Sequence, residues 1–325
     1  MRYLLAFVAF LLSNCVSAQD SEPKSVNAES ILRRGLDFLA KDAIQWKNDH
    51  NCASCHHAAL TVWALQEAKF KQRSVDEEVL SDLKKWMTES GEGKTSVPRP
   101  EGRPKALNTK AVYFALALAS DPEPNDLIRD GLTKMLNTVK DDQLEDGSWH
   151  AWPNSRPPFF GPSDEIMSGL ATLAASSSSN ETIRSVRDRG VRWLAESKTD
   201  DDPQSLAIRL IIWTRIQKPE EERRQLIQRI EQRQKADGGW SQSPDMESDA
   251  WATGQAMYAL TEAGMKPNEL TISRGKKFLM QNQKPDGSWP MTSRPIAPGG
   301  AASTSLIPII GAGSAWAVMG LVRAL

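Results

Sequence analysis

Charge of one sign, cysteine and long apolar runs are all scarce in this chain of 325 residues. Its 40 basic residues meet 41 acidic ones for a net charge of -1, which removes any electrostatic case for nucleic acid as a partner. Cysteine occurs three times, at Cys15, Cys52 and Cys55. The N-terminal apolar run, Tyr3 to Leu12, is too short to span a bilayer. With Arg2 before it and Val16 and Ala18 at the two positions a signal peptidase reads, residues 1–18 are expected to be a cleaved signal peptide. Cleavage would leave Gln19 first and send the chain to the periplasm or beyond. It would also remove Cys15, so only Cys52 and Cys55 remain. In an oxidising compartment two such thiols pair with each other, bind a metal or carry a haem.

Residues 19–29 read as a mobile lead and residues 30–325 as one domain, long enough to bury a large core. The C-terminal "SLIPIIGAGSAWAVMGLV" is apolar enough for a membrane tail. Pro308, three glycines and its likeness to other segments of the chain favour a buried helix and no membrane span in the mature protein.

That likeness is a repeat. "EDGSWHAWP" (145–153), "ADGGWSQSP" (236–244) and "PDGSWPMTS" (285–293) share Asp-Gly-x-Trp and a following turn. An amphipathic segment precedes each, and a small-residue segment apolar nearly all round follows. Such alternation predicts an outer and an inner layer of helices. Three degenerate copies fill the gaps: "RGLDFLAKDAIQW" with "HHAALTVWALQEA", "LSDLKKWMTES" with "TKAVYFALALAS", and "RGVRWLAESKTDDDPQSLAIRLIIW". Six hairpins can close a ring, so the expected fold is an all-α (α/α)6 toroid, with an open solenoid as the alternative. The glycine permits a backbone conformation that a side chain opposes. The tryptophan is expected to pack back across two helices, and Gln234 or Gln283 to cap neighbours.

"RGKKFLMQNQKPDGSW", with Arg274-Gly275, Gln283, Gly287 and Trp289, resembles the QW repeat of squalene–hopene cyclases and their relatives. The resemblance extends, decaying, over about residues 30–325. It implies a toroid like one cyclase domain or like the β subunit of protein prenyltransferases. It carries the cyclases' chemistry poorly, because the Asp-x-Asp-Asp motif that protonates a polyene is missing. Asp164, Asp249 and Glu247 are the substitute acids, and a raised pKa on a buried Asp164 or Asp249 would mark one of them. Trp63, Trp152, Trp213, Trp251 and Trp316 read first as core and second as the wall of a cavity for an apolar small molecule.

"DHNCASCHH" carries the remaining chemistry. Cys52-x-x-Cys55-His56 is the spacing at which two thioethers hold a haem while the next histidine ligates its iron. Aligning the first inner segment with the fifth by their shared Ala-Leu sets His56 opposite Trp251 and Ser54 opposite Asp249. The motif then lies at the mouth of the ring, beside the Gly-x-Trp turns. His57, adjacent to His56, cannot reach the opposite face of the same iron. His150, Met246 and Met291 lie in loops at the same end and are candidates for the sixth position. Zinc held by Cys52, Cys55 and His56 or His57, completed by a carboxylate such as Asp249, is a second occupant. A Cys52–Cys55 disulfide is a third. The expected function is therefore an exported, cyclase-like ring with a c-type haem at its mouth, serving redox exchange with a partner protein or ligand binding. The alternatives are a lipid-modifying enzyme using cavity carboxylates and a zinc-binding or plain binding scaffold.

Overall fold

The computed structural model describes residues 27–50, 54–89, 106–151, 158, 163–197, 202–295 and 306–325, and for Cys55 the backbone alone. Residues 1–18, expected to be a signal peptide, Cys52 and Trp152 lie outside the described residues. Within them twelve α-helices form six consecutive hairpins. They are α1 (Ala28–His50) with α2 (Leu60–Phe70), α3 (Glu77–Glu89) with α4 (Thr109–Ala119), and α5 (Asp126–Asp141) with α6 (Asp164–Ala175). There follow α7 (Glu181–Glu196) with α8 (Pro203–Arg215), α9 (Glu220–Glu231) with α10 (Ala250–Glu262), and α11 (Leu270–Asn282) with α12 (Ile307–Ala324). No strand occurs among the described residues.

The odd-numbered helices form the outer layer. In α5 the buried positions are Ile128, Gly131, Met135, Leu136 and Val139, one stripe at helical spacing. The even-numbered helices are buried nearly all round, as in the unbroken run Ala250–Leu260 of α10. Each inner helix packs on the next, and α12 packs back on α2, which closes the ring. Helix α12 is long and apolar enough to cross a membrane, yet 78% of it is buried between its neighbours, the behaviour of a core helix.

Three turns lock successive outer helices together. Gly147, Gly238 and Gly287 adopt φ of 93°, 92° and 92°, in the left-handed region that favours glycine. The indole N–H groups of Trp149, Trp240 and Trp289 each donate across 2.8 Å to an outer-helix carbonyl, of Val139, Ile230 and Leu279. The side-chain amides of Gln143, Gln234 and Gln283 donate to their own turn's glycine carbonyl. They also donate to the next outer helix, at Val186 (2.9 Å), Thr271 (2.8 Å) and Ile31 (2.9 Å). The last of these joins the end of the chain to its beginning.

The inner layer is tightest between α10 and α12. A Cβ on Gly254 would lie 2.2 Å from the carbonyl of Trp316, so the two backbones touch. Trp63, Trp251, Trp316 and Tyr258 fill the neighbouring core edge to face, with ring centroids 5.2–6.1 Å apart.

Gly287 and Gly264 separate conformation from crowding. Both have positive φ, but a Cβ on Gly287 would meet the Arg34 carbonyl at 2.2 Å, whereas nothing lies within 4 Å of one on Gly264. Gly264→Ala is expected to cost about 1 kcal/mol. Gly287→Ala should cost about 3 kcal/mol or more, because the turn must also leave α1. Urea midpoints of the two variants against the parent chain check the difference.

Candidate functional site

The first corner of the ring departs from the others. Helix α1 runs to His50, and α2 opens with a π-helical turn, Cys55–Ala59. The amide of Ala59 donates to the Ser54 carbonyl five residues back. One-turn π insertions of this kind favour functional sites. Ser54 caps the turn, its hydroxyl accepting from the His57 amide at 3.1 Å. In α10, Asp249 accepts from the Ala252 amide at 2.9 Å. Both caps reach three residues ahead, so Ser54 and Asp249 hold equivalent places, the register that the shared Ala-Leu implies.

Three imidazoles gather around one indole. Trp46 stacks on His50 at 3.7 Å and on His57 at 4.1 Å, and meets His56 edge-on at 4.9 Å. The Nδ1 atoms of His56 and His57 face each other, with the Ser54 hydroxyl 3.2 Å from the first and 3.5 Å from the second. His57 is fully enclosed, and its Nε2 lies 3.3 Å from Asp42 Oδ2. The pair is not aligned as a hydrogen bond, and both atoms are buried without another partner. Burial raises the Asp42 carboxyl from 3.8 to about 6. Burial, and then the neighbouring histidines, lower His57 to about 2; burial and His50 lower His56 to about 3. Desolvation thus keeps all of these groups toward their neutral forms, and the contact is no ion pair. Room for it comes from α12, where a Cβ on Gly311 would meet Asp42 at 2.9 Å and the His57 ring at 3.2 Å.

Of the expected ligands, His56 and His57 are brought together, while Cys52 and the Cys55 side chain fall outside what is described. His150 is engaged by Asp164, whose Oδ2 lies 2.8 Å from its Nδ1. Met291 is buried against α12 at Gly313, and Met246 takes Lys235 on its backbone carbonyl. Among the described residues no three His, Cys, Asp or Glu side chains form a metal-holding group. Asp42, Trp46 and Gly311 were not anticipated. Asp42, Trp46 and His50 stand four residues apart along one face of α1, and that spacing was the available signal.

The three candidate acids are separated. Glu247 is exposed. Asp164 is half-exposed and accepts from the Ala151 amide at 2.7 Å as well as pairing with His150. Asp249 is buried and its carboxyl is raised to about 6 by that burial. Its Oδ1 caps α10, and its Oδ2 accepts from Gln242 Nε2 at 2.8 Å.

The squalene–hopene cyclase N-terminal domain family matches residues 177–283, about a third of the chain. Over that third the chain is similar to the squalene–hopene cyclases. No curated protein matches it in sequence. Among solved structures, a protein from Actinoplanes is 13% identical with a TM-score of 0.59, over 92% of this chain and 99% of that one. The type II terpene cyclase MstE from Scytonema, bound to its substrate geranylgeranyl dihydroxybenzoate, matches in two variants. These are 10% and 11% identical with TM-scores of 0.53 and 0.56, over 91% of this chain and 98% of theirs. At such identities the likeness is one of fold. The toroid shares the ring of those enzymes, and of its candidate acids the buried Asp249 caps α10.

Asp249 supplies a pH test. Its folded value of about 6 stands above the ordinary 3.8, so folding takes up a proton there between about pH 4 and 6. The stability this group contributes is greatest below about pH 4 and declines as the pH rises through 6. Asp249→Asn keeps an acceptor for the Ala252 amide and removes the titration. The variant should gain on the parent chain by about 2–3 kcal/mol between pH 4 and 7. Melting curves across that range check it, and a difference independent of pH would refute it.

Proposed function

We propose that this cyclase-like toroid is exported and carries a c-type haem, which Cys52 and Cys55 would hold covalently and whose iron His56 would bind. In this reading the ring serves electron transfer or the binding of a small ligand. The observation that supports it is the first corner itself. Only there, among the described inner-helix starts, does a π-helical turn precede the α-helix, and it does so within the Cys-x-x-Cys-His sequence. The donor set suits the group. Burial holds His56 neutral, the state an axial ligand needs. Trp46 stacks on His57 and meets His56 edge-on, walling that side of the corner with an apolar surface. A haem bound here would supply a one-electron couple, with Cys52 and Cys55 anchoring it and Trp46 and Asp42 shaping the polarity around His56.

A second reading has one observation in its favour. The raised carboxyl of Asp249 is the state of a general acid, as a terpenoid-cyclase-type or other lipid-modifying enzyme would need. Against it, both Asp249 oxygens are engaged by Ala252 and Gln242.

The test is an intact mass and a reduced-minus-oxidised spectrum of the chain made in a host that matures c-type cytochromes. The expected result is one haem mass added to the mature chain and lost in Cys52→Ser and in Cys55→Ser. A chain of bare polypeptide mass overturns the haem reading. Stoichiometric zinc in that sample would assign the corner to zinc, and conversion of squalene to a cyclic product would assign the ring to cyclase chemistry.

A further inference from the structure

The inner helices all run the same way, so their C-terminal ends gather at the end of the ring opposite the Ser54–His57 corner. A cavity of about 270 Å³ opens there between the ends of α2, α4, α6, α8 and α12. That is near the lower limit for a small-molecule pocket. Its apolar wall is Trp63, Leu116 and Leu173, with Phe70 at the rim. Phe70 is 66% exposed.

The polar side of the cavity is a half-buried cluster. Tyr258 donates its hydroxyl to Glu67 at 2.6 Å, and Arg323 meets Glu67 at 3.0 Å and Tyr258 at 3.0 Å. Arg215 reaches Tyr258 at 3.2 Å and Glu262 at 3.0 Å, and Arg323 also pairs with Glu262. Two arginines and two glutamates balance, and each arginine lies in the last turn of its helix, where the dipole favours a cation.

Two donors are left over. Gln66 lines the cavity with 1% of its surface exposed, and its Nε2 has no hydrogen-bond partner. Arg323 also lines it, and its Nε is buried without a partner. A buried amide N–H or guanidinium N–H without an acceptor is unfavourable, and a bound acceptor would restore the missing hydrogen bond. The third buried atom there without a hydrogen bond, Glu67 Oε2, already faces the Arg323 guanidinium at 3.0 Å, so the groups still to be matched are the two donors and the missing partner is an acceptor.

From this arrangement we infer that the distal cavity is a binding site for a small apolar molecule with an oxygen-acceptor head, a carboxylate or a carbonyl. The head takes hydrogen bonds from Gln66 Nε2 and Arg323 Nε, and the body packs on Trp63, Leu116, Leu173 and Phe70. The site is independent of whatever occupies the Cys52–His56 corner, since none of its residues belongs to that corner.

Isothermal titration calorimetry of the full mature chain with octanoate and with 2-octanone tests the site. At least one probe is expected to bind saturably below millimolar concentration, and the stronger identifies the head as anionic or neutral. Gln66→Leu keeps the size of the side chain and removes the donor, so it should weaken binding about tenfold. Phe70→Asp, on the exposed rim, should weaken it with the melting temperature unchanged, and serves if Gln66→Leu fails to fold. Absence of saturable heat with both probes, or equal binding by every folded variant, overturns the site.

Discussion

The ring depends on a backbone contact that only glycine permits. At Gly147, Gly238 and Gly287 the chain turns with positive φ and presses directly onto the next outer helix. The contacts fall on the carbonyls of Arg189, Arg274 and Arg34. Each of these arginines is followed by a second glycine, Gly190, Gly275 or Gly35, over which the turn's tryptophan lies. With no Cβ on either side the helices approach closely enough for one glutamine to bond both. The indole N–H then finds an outer-helix carbonyl, so the largest side chain of the turn is buried with its polar atom satisfied. One short motif thus sets the spacing at three junctions of the outer layer, and through Gln283 and Ile31 it closes the circle.

Closure of the outer layer constrains the centre. Six inner helices must fill the space within, and α10 and α12 do so by backbone contact at Gly254, Trp316 and Gly320. The aromatic side chains of α2, α10 and α12 occupy that part of the centre, packed edge to face and buried. Trp63, Trp251 and Trp316 are therefore chiefly core, although Trp63 also borders the distal cavity. Chemistry is pushed to the two ends of the ring, where helix termini leave unsatisfied groups and loops can vary.

The fold was legible because its determinants are local and repeated. Asp-Gly-x-Trp marks the corners, and the alternation of amphipathic and uniformly apolar segments marks the layers. Shared Ala-Leu ends set the register well enough to equate Ser54 with Asp249, which the two helix caps display. The site was legible only in part. His56 and His57 stood out by residue type, but their surroundings come from α1 and α12, distant in sequence. Asp42 and Trp46 belong to a stripe that looks like ordinary helix, and Gly311 matters only because α12 closes on α1. The distal cluster was invisible for the same reason. Glu67, Arg215, Tyr258 and Arg323 come from four inner helices, and a charged residue near a helix end reads as solvated until the ring is assembled.

The first corner can differ because the ring does not need it. The junction between the last hairpin and the first is made at the other corner of α1's neighbourhood, by Arg34, Ile31 and Gly35 in the early turns of α1. The loop from α1 to α2 contributes no Gly-x-Trp lock, so its sequence is released from that structural duty. It still lies beside the turns that do carry locks, and it inherits a rigid surround from them. A neutral, desolvated histidine pair on such a corner has an unfavourable cost in acid, since the unfolded chain protonates near pH 6.5 while the folded one resists. Two adjacent imidazoles, a half-buried carboxyl and a stacked indole are held there against that cost. The arrangement gains a rationale once the imidazole nitrogens are there to bind something.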